Sequence, residues 1–158
     1  MTAELIKDYT FRISQANRSE IIVIVFELAD QYIKDAIHNI DDTDKSAYTD
    51  SCHQAMKCVT HLINSLDGSY ELASPLMRLY AYINKEICMS AARYDADRLK
   101  KAQGQLKSLS EAFVQVAKAD ASSPMMQNSQ TVYAGLTYGR ESLNENMYDE
   151  GSRRGYTV

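Results

Sequence analysis

The sequence predicts an all-α fold, namely an antiparallel up-down four-helix bundle with an N-terminal arm and a C-terminal tail. Three observations predict it. Apolar residues recur at helical spacing in four successive stretches, capping residues precede these stretches, and only two prolines and six glycines occur in 158 residues. A chain of this length, 45% apolar, can bury one core. We therefore expect an arm at residues 1–17, the bundle at 18–119 and a flexible or docked tail at 120–158.

The first predicted helix of the bundle spans residues 18–40. Asn17 is placed to cap it, and Glu20 three residues later completes a capping-box pair, with Asn in place of the usual Ser or Thr. Two adjacent rows of apolar residues make a stripe wide enough to pack against two or three partners. The rows are Ile21, Val25, Leu28, Tyr32, Ala36 and Ile40, and Ile22, Phe26, Ala29, Ile33 and Ile37.

The second predicted helix spans residues 44–66, with Thr43 or Ser46 as its N-cap. We expect it to end at Asp67-Gly68, because glycine adopts the left-handed conformation at a helix C-terminus without steric cost. Its inward residues recur at helical spacing from Cys52 to Leu66.

The third and fourth predicted helices have equally clear starts. Ser74-Pro75 begins the third, since proline at the first helical position loses no needed hydrogen bond. Asp95 or Asp97 caps the fourth, which continues to Ala119. Short connections between helices of similar length predict that neighbours run antiparallel.

The tail differs in composition from the bundle. Residues 120–158 are rich in Ser, Asn, Gln, Gly and Tyr and hold few aliphatic residues, so they cannot form a core of their own. Two alternatives stay open: a tail that is disordered when free, or one docked on the bundle. Composition indicates the first alternative, and scattered apolar anchors keep the second one open: Val132, Tyr133, Leu136, Tyr138, Leu143 and Met147.

Charge and hydropathy exclude several function classes. The formal net charge of −4 argues against a basic footprint for nucleic acid. The longest apolar run, residues 21–26, is far shorter than the roughly 20 residues that a membrane span needs, so we expect no membrane insertion. Cys52, Cys58 and Cys88 are odd in number and lack CxxC spacing, which predicts buried free thiols and a cytoplasmic location.

Residues that carry chemistry are sparse. A di-metal bundle needs paired Glu-x-x-His motifs, and the nearest counterpart is a single Asp50-Ser51-Cys52-His53. We interpret His38, His53 and His61 as ordinary helix residues, not metal ligands. Cys58 and His61 share a helix face but have no third orienting group nearby in the sequence. We therefore expect no enzyme activity, no catalytic residue, no metal and no cofactor.

The apolar excess permits two interpretations. Eleven tyrosines and seven methionines, with no tryptophan, give an adaptable, amphipathic surface. One interpretation is a well-buried central helix with tyrosine hydroxyls that reach water. The other is a groove for a partner helix or extended peptide, covered while empty by an arm that contains Tyr9, Phe11 and Ile13. Tyr80 and Tyr82 lie two residues apart on one helix, so they cannot both face one core.

Over residues 9–117 the order of these motifs resembles the flagellin export chaperones, the FliS family. That family has a tyrosine-containing arm, here Tyr9 to Gln15, before the cap of the first bundle helix. The other matching segments follow in the same order: Val25-Phe26-Glu27-Leu28-Ala29, then Gln54-Ala55, Cys58-Val59, Leu62 and Leu66-Asp67, then Leu79-Tyr80-Ala81-Tyr82-Ile83, and finally Leu106, Leu109 and Phe113.

The resemblance implies a function. It predicts a cytosolic secretion chaperone that binds the disordered C-terminal segment of flagellin, prevents premature polymerisation and keeps flagellin competent for export, with the flagellar export apparatus as a further partner. It also implies an arm made of Tyr9 and Ile13 over a groove that contains Ile24, Leu79, Tyr80 and Tyr82. The alternative is a generic helical adaptor or dimerisation module, whose apolar surface forms a homodimer.

Overall fold

The computed structural model describes residues 2–40 and 45–126, and within them the chain forms helices, turns and bends without a strand. This confirms the prediction of an all-α bundle. Five helices occur in the described residues: α1 (Ala3–Gln15), α2 (Arg18–His38), α3 (Lys45–Asn64), α4 (Ala73–Arg93) and α5 (Ala96–Ala119).

Helices α2 to α5 form the bundle, in which α2 and α4 each pack against both α3 and α5. Hydrogen bonds give the direction of α5 against α2. Ser19 at the start of α2 bonds Asp120 just after α5, and Asp30 further along α2 accepts from Gln103 near the start of α5. The two helices are therefore antiparallel.

The same argument applies to α3 and α4. Tyr48 near the start of α3 bonds Ser90 near the end of α4, and Asn84 earlier in α4 donates to Thr60 further along α3. These two helices are antiparallel as well.

The core of the bundle lies between the four helices. Helix α2 contacts α1, α3 and α5, which agrees with the wide apolar stripe seen in its sequence. The core residues from all four helices form one cluster: Val25, Phe26, Ala29, Ile33, Ala36, Tyr48, Cys52, Ala55, Val59, Leu62, Tyr80, Ile83, Ile87, Leu99, Ala102 and Leu106.

Two of the predicted caps are confirmed. The Asn17 side chain accepts the Glu20 backbone N–H at 2.9 Å, while the Glu20 carboxylate accepts the Asn17 backbone N–H at 2.8 Å. Asp95 caps α5 by accepting the backbone N–H groups of Asp97 and Arg98. Asp97, the alternative cap, lies inside the first turn of α5.

Other details of the helix ends differ from prediction. Ser46 lies inside α3, which already begins at Lys45, and Thr43 is outside the described residues. Helix α4 begins at Ala73, so Pro75 is its third residue instead of its first. Proline is tolerated there because the first four N–H groups of a helix lack intrahelical acceptors.

The left-handed position also differs. Helix α3 ends at Asn64, before Gly68, and Gly68 does not adopt positive φ. The Asp67 side chain accepts the Ser69 backbone N–H at 2.9 Å and shapes this turn instead. In residues 2–40 and 45–126, positive φ occurs at Tyr94, at the end of α4, with a value of 55°. There the Tyr94 ring packs 5.3 Å from the ring of Tyr48, and the Lys45 ammonium lies 4.1 Å from its centroid.

The thiols are less uniform than expected. Cys52 is buried and Cys58 half-buried, but Cys88 is exposed, so the expectation of three buried thiols is wrong for Cys88. The reason is that the apolar stripe of α4 is narrower than its sequence suggests, and Ile87 fills the core position beside it. The tail prediction lies mostly outside the described residues, which end at Met126. None of the described helices is long and apolar enough to cross a membrane.

Candidate protein-binding surface

Helix α1 covers an apolar face of α2 that does not belong to the bundle core. Tyr9, Ala16 and Ile24 form a separate buried cluster, each no more than 9% exposed. Half-buried residues pack around them: Leu5, Ile13, Ile21 and Leu28. We call these seven residues the α1–α2 seam. Without α1, this face of α2 would be exposed to water.

A small set of polar contacts holds the seam together. The Arg12 guanidinium forms an ion pair of 2.7 Å with Glu27 of α2 and lies 5.5 Å from the centroid of the Tyr9 ring. Burial raises the pKa of Tyr9, and the nearby Glu27 carboxylate acts in the same direction. Because Arg12 and Glu27 are each 38% exposed, water and salt weaken this ion pair.

Beside the seam lies an opening of about 390 Å³ between α1, α2 and α5. We call it the side groove. Its wall is largely apolar, and Phe11 on α1 is 48% exposed above it. The lining residues are Phe11, Arg12, Gln15, Ala16, Glu20, Val23, Ile24, Val114, Ala117 and Lys118.

A larger opening, about 690 Å³, lies at one end of the bundle. We call it the end cleft. Tyr70, Leu72 and Val116 on its rim are 71%, 70% and 55% exposed, which is unusual for side chains of this size beside one another. The lining residues are Arg18, Ile22, Ser65, Leu66, Asp67, Tyr70, Glu71, Leu72, Ala73, Leu76, Tyr80, Phe113 and Val116.

The structure places three of the six predicted binding residues together. Tyr9 and Ile13 on α1 pack with Ile24 of α2 in the seam. Tyr80 lies apart from them, in the bundle core, 1% exposed with its ring 6.2 Å from that of Phe26, and it forms part of the floor of the end cleft. Burial raises the pKa of Tyr80 to about 12.

Leu79 and Tyr82 do not join these sets. Leu79 is half-buried against the bundle core, and Tyr82 is 45% exposed on another side of α4. Neither is among the residues that line the side groove or the end cleft. The spacing of Tyr80 and Tyr82 separates them, as the sequence predicts.

Sequence reasoning missed the exposed rim of the end cleft. Tyr70 and Leu72 lie in the turn before α4, a position where polar residues are typical. Large apolar side chains in such a turn were the available signal. Val116 carried no such signal, because it follows the apolar period of α5.

The chemistry offered by the described residues suits apolar contacts. Among residues 2–40 and 45–126, no group of three His, Cys, Asp or Glu side chains is placed to hold a metal ion. His53 and His61 lie on α3 around a shallow opening that they share with Lys57. The seam, the side groove and the end cleft together therefore make up the candidate site.

Comparison with known families shows which family the chain belongs to. The model of the family described as flagellar protein FliS matches residues 4–120, from the first turn of α1 to the residue after α5. The chain belongs to the FliS family. FliS proteins are chaperones of flagellar export, and the match includes the seam, the side groove and the end cleft of this FliS chain. Comparison with individual curated proteins gives no match.

Proposed function

We propose that this FliS protein is a cytosolic chaperone that binds the disordered C-terminal segment of flagellin. Binding covers the apolar side of that segment, prevents premature polymerisation and keeps flagellin ready for the flagellar export apparatus. One observation carries the proposal: an apolar face of α2 is covered by a helix of the same chain that packs outside the bundle core.

Helix α1 is suited to leave this face. Helix α1 packs mainly against α2, whereas each bundle helix packs against at least two others. Two of its apolar side chains, Ile6 and Phe11, remain 51% and 48% exposed. A helix with few buried contacts opens at a lower free energy than the core beneath it.

A flagellin segment that takes the place of α1 would use the same physics. An amphipathic helix places apolar anchors three and four residues apart, as α1 does with Tyr9 and Ile13. Ile24 and Leu28 of α2 would then receive the anchors of the client. Ordering of the client upon binding costs entropy, which keeps the affinity moderate and permits release.

The end cleft offers a second place for the same client. Its rim exposes Tyr70, Leu72 and Val116, and its floor includes Tyr80. Arg18 and Val116 on the cleft lie at the same ends of α2 and α5 as Glu20 and Ala117 of the side groove. A client chain that leaves the seam at this end would therefore reach the end cleft.

Titration of the full chain with a flagellin C-terminal peptide, followed by calorimetry, tests the proposal. We expect saturable one-to-one binding. Ile24→Asp places a charge on the seam, outside the bundle core, and should weaken binding by at least about tenfold because an unpaired carboxylate must be desolvated. Absence of binding to the wild-type chain would reject the proposal.

A matched pair of variants tests the end cleft. Leu72→Asp changes a rim residue that is 70% exposed, and Met77→Asp changes an apolar residue of α4 that is 49% exposed and does not line the cleft. We expect weaker peptide binding only for Leu72→Asp. Equal effects of the two variants would remove the end cleft from the site.

Leu79 and Tyr82 are also proposed client contacts, although they line neither the side groove nor the end cleft. Tyr82→Ala removes an exposed ring without disturbing the core, so any loss of affinity reports directly on client contact.

Sedimentation of the peptide-free chain tests the alternative of a homodimer. A dimer that Leu72→Asp dissociates, together with no peptide binding, would favour a dimerisation module.

A further inference from the structure

The segment after α5 crosses the junction between α1 and α2. Residues 120–126, which we call the strap, follow the last turn of α5 without helix or strand. Asp120 accepts from Ser19 at 2.5 Å through its carboxylate, and the Met125 backbone N–H donates to the Ala16 carbonyl at 3.1 Å. Ala16 and Asn17 are the two residues that join α1 to α2.

Asn17 makes the contact more specific. Its side-chain oxygen caps α2, while its Nδ2 group donates to the carbonyl oxygens of Asp120 at 3.1 Å and Ser122 at 3.5 Å. Asn17 is only 5% exposed, so these donors need partners within the protein. A Ser or Thr cap has an oxygen for the helix but no second group that donates in this way.

The strap is also shaped for this position. The Ser122 backbone N–H donates to the Asp120 carboxylate at 3.0 Å, which folds the strap back at its first residues. Hydrogen bonds from Ser19 and then Ser122 hold the pKa of Asp120 below its usual value, so the carboxylate is ionised at neutral pH. The family match ends at residue 120, and most of the strap therefore lies beyond the matched region.

We propose that the strap is an intramolecular latch: by bonding residues 16, 17 and 19 it holds the hinge of α1 in place and keeps the seam closed. To swing away from α2, helix α1 must rotate the backbone at Ala16 and Asn17. The hydrogen bond from the Met125 N–H holds Ala16, and the hydrogen bond from Asn17 to the Asp120 carbonyl holds Asn17. Release of the strap therefore raises the population of chains in which α1 has left α2. The latch thereby sets how readily a client gains access to the seam. This biological role rests on the proposed function.

Two variants each remove part of the latch while they preserve the helices. Asn17→Ser keeps an oxygen that caps α2, since Ser and Asn are similar N-caps, but removes both donors to the strap. Ser19→Ala removes the hydroxyl that bonds Asp120 at a helical position where alanine is favourable. Ser108→Ala is the matched control, because among the residues that the structure describes the Ser108 hydroxyl bonds only the Gly104 carbonyl within α5.

Hydrogen exchange of the full chain without peptide is the first measurement. For both latch variants we expect the protection of the α1 amides to fall by about fivefold, the size of one net hydrogen bond, while the core amides of α2–α5 keep theirs. Ser108→Ala should leave α1 unchanged. Unchanged α1 protection in both latch variants would overturn the latch.

Titration with the flagellin C-terminal peptide is the second measurement. If only the open arm binds, the affinity should rise by the same factor by which α1 protection falls. Loss of protection with no gain in affinity, in a wild-type chain that binds the peptide, would overturn the latch as a control of access. Loss of protection with no peptide binding to any variant would support the latch and reject the proposed client.

Discussion

The bundle core and the α1–α2 seam are both apolar, yet they differ in how they are closed. Most core side chains are fully buried in one cluster with members on four helices, and Ile33, Ile83 and Leu99 are 0% exposed. The seam lies between two helices. It contains three buried residues, and the ion pair across it is open to water. From this difference we expect the core to supply most of the stability and α1 to act as an exchangeable cover of the seam.

The polar contacts follow the same division. Glu86 of α4, 7% exposed, pairs with Arg98 of α5 at 3.0 Å and ties two bundle helices together. Across the seam, the corresponding pair joins Arg12 and Glu27, which are both considerably exposed. A buried pair is costly to break, because the remaining charge is left without a partner, whereas an exposed pair is replaced by water.

The largest expected effect is a core truncation. Leu99→Ala should lower the free energy of unfolding by about 2–5 kcal/mol, through lost burial and the cavity that remains. Ile24→Ala in the seam should cost less, because a residue buried by α1 contributes no more than the docking of α1 does. Urea unfolding measures both, and equal losses would show that the seam belongs to the core.

Thiol reactivity is the next comparison. Burial raises the pKa of Cys52 to about 11 from an ordinary 9.0, which lowers its thiolate fraction at pH 8 by about a hundredfold before access is considered. Exposed Cys88 should therefore react first with a thiol reagent, and Cys52 only after the core opens. Mass spectrometry of partly labelled protein identifies the sites; early labelling at Cys52 would mean that the core is not closed.

A smaller effect is expected at the end of the bundle where α3 begins and α4 ends. The Tyr48 hydroxyl bonds Ser90 Oγ at 2.6 Å, and Ser90 Oγ also donates to the Asp95 carbonyl. Tyr48→Phe leaves that second bond in place, so we expect a loss of about 1 kcal/mol in unfolding free energy. Tyr82→Phe, at an exposed ring, is the control and should change nothing measurable.

The smallest effect concerns the ion pair of the seam. Arg12→Ala should weaken α1 docking by about 0.2–1 kcal/mol, the usual range for exposed pairs, and should raise exchange in α1 alone. Lys100→Ala breaks another exposed pair, with Asp97 on α5, away from α1. If the Lys100 variant raises α1 exchange as much, the Arg12 contact has no specific role.

Local patterns in the sequence predicted much of this structure. The caps Asn17 and Asp95 and the apolar rows of α2 depend on residues three or four apart, which the sequence displays directly. The helical state of α1 was not predicted, since the arm at residues 1–17 was identified only by its apolar residues Tyr9, Phe11 and Ile13. Its helix gains stability from contact with α2, and such contact is invisible in a short stretch of sequence.

Features that depend on distant residues escaped prediction. The strap joins Asn17 to Asp120, and no periodicity links positions so far apart. The left-handed residue was expected at Gly68 and occurs at Tyr94, where packing against Tyr48 and Lys45 offsets the steric cost. Tyr82 has the expected helical position, but only the packing of α4 decides that it faces water.

The central claim is that α1 and the client occupy the same face of α2 in turn. Hydrogen exchange of the full chain, with and without saturating flagellin C-terminal peptide, tests it most directly. Our account predicts that peptide makes the amides of residues 3–15 exchange faster while the amides around Ile24 become more protected. Unchanged or increased protection of α1 in the complex would contradict it.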